Sequence, residues 1–261
     1  MHNSKINPFF GRLSLITGAK AMKAIEKCRV IVFGLGGVGS WCAEALVRSG
    51  IGTIFLVDSD TVSVTNINRQ VQATGSTIGR LKTQALEERL EDINPSCAIT
   101  AFPVSFSKEK AGLFDIPAAD YVIDAIDTLT YKLDLIETSL VSGKAFYSCM
   151  GMAQKLDPTL IKTADIWDTR GCPLARLVRQ GMKKRNISGH FTAVYSPERL
   201  PLRESIPGAD CDPVELQGWD SGKKVINGSA VTVTAAAGMV LASLVIRDVY
   251  ARFSQSGADN E

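Results

Sequence analysis

At 261 residues, with 45% hydrophobic and 21% charged residues, the chain can bury a sizeable core and lies outside the range of disordered or fibrous proteins. A formal net charge of +2 gives no argument for a polyanionic partner, so only local clustering can carry one. Six cysteines (Cys28, Cys42, Cys97, Cys149, Cys172 and Cys211) include no C-x-x-C pair; without zinc-ligand spacing or an apolar N-terminal signal they read as reduced thiols of a cytoplasmic protein.

Residues 8–28 read as a helical lead-in. Arg29 to Phe33 (RVIVF) is a continuous apolar run, the pattern of a parallel strand buried on both faces. The glycine-rich Gly34 to Gly39 comes next, then a helix over Ser40 to Ser49 that Gly50 and Gly52 stop, then a strand at Thr53 to Val57 ending at Asp58. This is one βαβ unit. The alternation continues with a charged helix over 78–92 and strands at Ala98 to Pro103 and Tyr121 to Ala125. A helix over 130–143 and a strand at Ala145 to Cys149 complete it. Such alternation predicts an α/β fold, a doubly wound, mostly parallel Rossmann-like sheet that presents ligand sites outside its strand C-termini.

Beyond Gly151 the apolar runs shorten and turn-formers multiply. Residues 1–151 are expected to form the nucleotide-binding core and 152–227 an insertion of loops and short strands over the active-site edge. Residues 228–261 would return a helix to the core within one domain. The apolar stretch Ala230 to Ile246 is about the minimum membrane-spanning length. Its hydroxyls and small residues read better as a closely packed buried helix.

GLGGVG, with Gly34, Gly36, Gly37 and Gly39, lets backbone approach a phosphate at a helix N-terminus. As a bare G-x-G-x-x-G it fits NAD as well as ATP, and Asp58 is placed to hydrogen-bond a ribose in either case. The residues after Asp58 favour ATP. Asn66, Asn68, Arg69 and Gln70 form a polar run that a nicotinamide site does not need, whereas phosphoryl chemistry develops negative charge that such groups stabilise. Lys82, near a helix start, could reach a phosphate. Asp124 and Asp127 (DAID) stand at a strand C-terminus, where a carboxylate could hold Mg²⁺ or Asp127 with Thr128 could cap the next helix.

GLGGVGS, LVDSDTVSVTNINRQ, GRLK and DAIDT, in that order, resemble the ThiF/MoeB-type adenylating family, which includes the ubiquitin-activating enzymes and the bacterial activators of sulfur-carrier proteins. The resemblance implies that Asp58 holds the ribose, that Asn66, Arg69 and Lys82 contact the triphosphate with Gln70 beside them, and that Asp127 holds Mg²⁺. It also implies that Arg12, in GRLSLITG, reaches the phosphates of a neighbouring subunit, and hence a homodimer.

Within that family, sulfur-carrier activators carry two C-x-x-C pairs, which this sequence lacks. DPTLIKTADIWDTRGCPLARLVRQGMKKR and FTAVYSPERLP instead resemble the branch that dehydrates threonylcarbamoyladenosine in tRNA. That branch is expected to adenylate the threonyl carboxylate, which the neighbouring carbamoyl group then attacks. Adenylation of a carrier-protein C-terminus is the alternative. A sulfur-relay protein is a further candidate partner, although relatives place a Cys before the final helix where this chain reads VINGSAV. Finally, Arg170, Arg176, Arg179, Lys183, Lys184, Arg185 and His190 lie in a stretch without an acid from Thr169 to Tyr195. Arg176 to Arg185 reads equally as an RNA-backbone contact and as a solvated amphipathic helix.

Overall fold

Val30 and Val32 project to one side of the first strand and Ile31 and Phe33 to the other, and all four are buried. A run with both faces buried must lie inside a sheet covered twice. The computed structural model describes residues 7–200 and 228–254 and places this strand, β1 (Arg29–Phe33), inside a seven-stranded sheet, third from one edge. The others are β2 (Thr53–Val57), β3 (Ala98–Phe102), β4 (Tyr121–Asp124), β5 (Ala145–Cys149), β6 (Lys162–Asp165) and β7 (Thr192–Tyr195). Their order is β3-β2-β1-β4-β5-β7-β6, parallel throughout except for β6 against β7.

Register decides what the fold offers. Phe33 stands opposite both Val57 and Asp124, so the segments leaving β1, β2 and β4 emerge side by side. Strand order reverses at β1, with β2 on one flank and β4 on the other. This is the crevice where open α/β sheets bind ligands.

Helices α1 (Gly11–Ile25), α2 (Gly39–Arg48), α3 (Lys82–Ile93) and α6 (Val231–Ser254) supply one core, on the face of Val30 and Val32. Helices α4 (Leu129–Ser142) and α5 (Pro173–Lys184) supply the other, on the face of Ile31 and Phe33. Helix α6 is long and apolar enough to cross a membrane by length and composition. In the fold Val233, Ala237, Leu241, Val245 and Val249, four residues apart, form one buried face. A methyl on Gly238 would meet the Val38 carbonyl at 2.5 Å, so this small residue lets α6 lie directly on α2.

The sequence-predicted strands are found within a residue of their expected bounds, and the fold class is as expected. Two features differ. Helix α3 begins at Lys82 and not at residue 78, because residues 79–81 turn back to bond Val62 and Thr61. The stretch after Gly151 holds more structure than its turn-formers suggest: β6 and β7 lengthen the main sheet, and α5 covers it. Residues 201–227 of the expected insertion, Cys211 among them, lie outside the described residues.

Candidate active site

Gly34 leaves β1 with φ +86°, and a methyl there would meet the Ala125 carbonyl at 2.8 Å. Only glycine fits, because the β4 loop abuts the turn. Gly39 is equally constrained, since a Cβ would lie 1.8 Å from the Gly34 carbonyl oxygen. Gly37 faces the Arg69 side chain and Thr234 at 3.1 Å. A methyl on Gly36, alone of the four, would meet nothing within 4 Å, so internal packing does not require this glycine. Gly39→Ala is therefore expected to cost about 1–3 kcal/mol through overpacking, and Gly36→Ala less than about 1 kcal/mol. Thermal unfolding of the two variants checks the contrast.

The glycine segment is tied to β2 through Asp58, whose Oδ2 accepts from Leu35 N at 2.7 Å while Oδ1 accepts from Asp60 N at 2.8 Å. A carboxylate has about four acceptor positions, so capacity remains for hydroxyl donors. Burial pushes the Asp58 carboxyl above its ordinary value; the Lys82 charge and the two amides oppose that shift. Gln72, which sequence reasoning passed over, donates from Nε2 to the Leu35 carbonyl at 2.9 Å and holds the same segment from below. The only available signal was its place two residues beyond Gln70. The first helical bond of α2 runs from Ser40 N to the Gly36 carbonyl, so the preceding amides stand at a helix N-terminus, where anions are favoured.

Past Asp58 the chain bends into a short turn at Val64–Asn66, where Asn66 Oδ1 accepts from Ser63 N. Arg69 lies across Gly37; its Nη1 donates to the Thr65 carbonyl at 2.8 Å, and its own carbonyl accepts from Trp41 Nε1 at 3.0 Å. Gln70 is buried, and its Oε1 has no hydrogen-bond partner among the described residues. Lys82 is buried too, with Nζ 2.7 Å from the exposed Asp60 carboxylate.

The two acids of DAID separate cleanly. Asp124 is fully buried: Oδ2 pairs with Lys132 Nζ at 2.7 Å and accepts from Ser148 Oγ at 2.6 Å, and Oδ1 accepts from Ile126 N. With a lysine already paired to it and no access from solvent, it is removed as a metal ligand. The network instead fixes the 125–127 loop. Asp127 at the end of that loop is exposed and contacts only the Thr128 hydroxyl, at 3.4 Å, among the described residues. Thr128 is the N-cap residue of α4, without a side-chain cap bond, so Asp127 is not spent on capping.

The glycine segment thus meets Asp58, Arg69 and the loop that ends in Asp127, and Lys82 stands close to Asp58. Arg12 does not join them by any hydrogen bond or ion pair among the described residues; it is exposed on α1, beside the strongly exposed Leu15 and Ile16. Along α5 the basic residues also divide. Arg179 bonds the Thr169 hydroxyl, and Arg185 pairs with Asp134 at 2.6 Å and Glu137 at 3.6 Å. Arg176, Lys183 and Lys184 are exposed.

Residues 10–251 match the model of the ThiF family. The chain is 36% identical over 245 residues to the tRNA threonylcarbamoyladenosine dehydratase of Bacillus subtilis (strain 168), covering 92% of this chain and 94% of that protein. A solved structure of E. coli tRNA N6-threonylcarbamoyladenosine dehydratase with AMP superposes at TM-score 0.83 and 30% identity, over 96% of this chain and 99% of that one. A structure of the E. coli enzyme with ATP superposes at TM-score 0.81 and 31% identity, with the same coverage.

Proposed function

Because the chain belongs to the ThiF family, we propose that it is an ATP-dependent tRNA threonylcarbamoyladenosine dehydratase. The observation that carries this reading is similarity from end to end, and not over the nucleotide-binding half alone, to dehydratases whose E. coli structures hold ATP and AMP.

A threonyl carboxylate oxygen displaces pyrophosphate from the α-phosphorus of ATP, giving an acyl adenylate. The carbamoyl group of the same nucleoside attacks the activated carbonyl carbon and gives its proton to solvent. AMP leaves with the attacking carboxylate oxygen, and a ring has closed with net loss of water. Attack from within one substrate draws its rate from proximity and needs no protein nucleophile.

The cysteines suit this reading. All five in the described residues are free and buried; burial pushes the Cys28 and Cys97 thiols up to about 11 and Cys149 to about 12. At neutral pH these three stay protonated and poorly nucleophilic. A reduced, cytoplasmic setting, where tRNA is found, fits the same thiols.

In this reading Asp58 binds the ribose, and Arg69 and Lys82 face the phosphates with Asn66 and Gln70 beside them. The unpaired Gln70 Oε1 leaves an acceptor for a nucleotide donor. Gly36 gives the backbone room to meet a phosphate. Among the described residues no group of three or more His, Cys, Asp or Glu side chains could cage a metal. Mg²⁺ in nucleotide sites takes one or two carboxylates plus substrate phosphates, and the exposed Asp127 carboxylate suits that pattern. When bound there, Mg²⁺ would neutralise developing phosphate charge. Arg12 is assigned to the phosphates of a second subunit; exposed Phe9, Leu15 and Ile16 around it are the apolar surface a homodimer would cover.

The exposed Arg176, Lys183 and Lys184 are assigned to the RNA backbone. Replacing all three with Gln is expected to reduce the slope of log affinity for tRNA against log salt by about 2 to 3; an unchanged slope would move the RNA surface elsewhere. The function itself is tested by incubating the protein with ATP, Mg²⁺ and threonylcarbamoyl-tRNA. Nucleoside mass spectrometry should show loss of one water for each AMP formed. Dependence on a small protein ending in Gly-Gly, and not on tRNA, would favour the carrier-protein alternative.

A further inference from the structure

At the end of the sheet remote from the crevice, a shallow, wide-open cleft of about 580 Å³ is lined by Trp167, Lys183, Asn186, Ile187, Ser188 and His190. Its position is set by register. Thr192, the first residue of β7, pairs with Asp165, the last of β6, and β7 runs parallel to the rest of the sheet. The turn after β6 and the loop before β7 therefore lie at the strand N-termini, opposite Gly34 and Asp127. Helix α5 joins the two ends: Leu174 packs on Gly151, just beyond the C-terminus of β5, while Lys183 lies over the Trp167 ring at 6.0 Å. Its 12 residues span about 18 Å.

The cleft is held in shape from within. Trp167 Nε1 donates to the Gly189 carbonyl at 3.1 Å, fixing the ring against the 187–190 loop. Asp165 accepts from Trp167 N at 2.9 Å through Oδ1, and its Oδ2 lies 3.0 Å from His190 Nδ1. Asn186 ends α5 in the left-handed region, at φ +56°. From Lys162 to Tyr195 the chain carries seven lysines and arginines against two acids, and one of those acids, Asp165, is engaged with His190. An aromatic ring with an exposed ammonium over it, beside an amide, a hydroxyl and an imidazole, is the chemistry that takes an unpaired nucleotide: base on ring, phosphate on cation, polar edges on amide and hydroxyl.

We propose that this cleft is a second RNA-docking subsite, in which a nucleotide of the tRNA outside the reacting nucleoside stacks on Trp167 while Lys183 turns to its phosphate. The proposal rests on the tRNA reading above. It assigns α5 the role of a rail between the reacting end and an anchoring end, so that the cleft governs binding of the tRNA and not the chemical steps.

The test uses the full chain with ATP and threonylcarbamoyl-tRNA. Trp167→Ala should raise the KM for tRNA, and the Kd for an unmodified tRNA transcript, by about tenfold, as expected for one lost stacked base. The kcat and the KM for ATP should stay unchanged, and Trp167→Phe should recover most of the affinity. A folded Trp167→Ala protein that binds tRNA as the wild type does overturns the proposal. So does equal weakening toward a DNA duplex of similar charge, which would mean that no base is read. If Trp167→Ala fails to fold, ultraviolet crosslinking of tRNA carrying photoreactive uridines to the wild-type protein decides. Adducts on the peptide 162–170 or 183–190 support the subsite, and adducts found only elsewhere overturn it. Failure of the dehydratase reading would show in the wild type as absent turnover, whereas failure of the subsite alone leaves wild-type turnover intact and the variants unchanged.

Discussion

Asp127→Ala is expected to lower kcat/KM by roughly a thousandfold, about 4 kcal/mol of transition-state stabilisation, while leaving folding stability within about 0.5 kcal/mol of wild type. The two halves of this expectation have separate causes. Stability is spared because the Asp127 carboxylate is exposed and, among the described residues, makes one long hydrogen bond, to the Thr128 hydroxyl. Activity is lost because the 125–127 loop is pinned against the glycine turn, with Ala125 N bonded to the Phe33 carbonyl and Ile126 N to Asp124. The carboxylate so placed is the one exposed acid on that loop. Half-saturating Mg²⁺ for ATP binding should rise in the variant, and Asp127→Asn should behave like Asp127→Ala. Near-normal turnover would remove Asp127 from the mechanism.

Lys132→Met should be the most destabilising single change, by about 3–5 kcal/mol, lowering the melting temperature by on the order of 10 °C. Both partners of the Lys132–Asp124 pair are completely buried, 2.7 Å apart. Removing the ammonium leaves Asp124 with only the Ser148 hydroxyl and the Ile126 amide to balance its charge. The double variant Asp124→Asn, Lys132→Met should recover part of the loss, since no uncompensated charge remains. Both variants should lose activity beyond what stability explains, because Asp124 orients the loop carrying Asp127. Equal melting temperatures for Lys132→Met and wild type, by calorimetry, would contradict this expectation.

The same pair shows where sequence reading stops. β1 and β2 announce themselves because strands buried on both faces are written as unbroken apolar runs, and the glycine turn because its φ and close approaches admit no side chain. Lys132 sits in LTYKLDLI, where a lysine reads as a solvated helix position, and its partner lies eight residues earlier, across a loop. No periodicity encodes that contact. Asp124 was legible as an acid at a strand C-terminus, but its assignment as a buried structural group required seeing Lys132 and Ser148 converge on it.

The basic run illustrates a different limit. A cluster of cations is visible in sequence, yet the acids that engage Arg185, Asp134 and Glu137, come from α4, some fifty residues earlier. Only the fold separates the residues spent on joining α4 to α5 from those left facing solvent. Strands β6 and β7, four residues each, were too short and too polar to stand out among turn-formers.

The claim on which everything else depends is that a substrate carboxylate is adenylated. It is tested most directly by threonylcarbamoyl-tRNA whose threonyl carboxylate carries heavy oxygen, incubated with the protein, Mg²⁺ and ATP. One labelled oxygen should appear in the AMP released, because AMP leaves with the oxygen that attacked the α-phosphorus. AMP free of label, alongside dehydrated nucleoside, would contradict adenylation of that carboxylate.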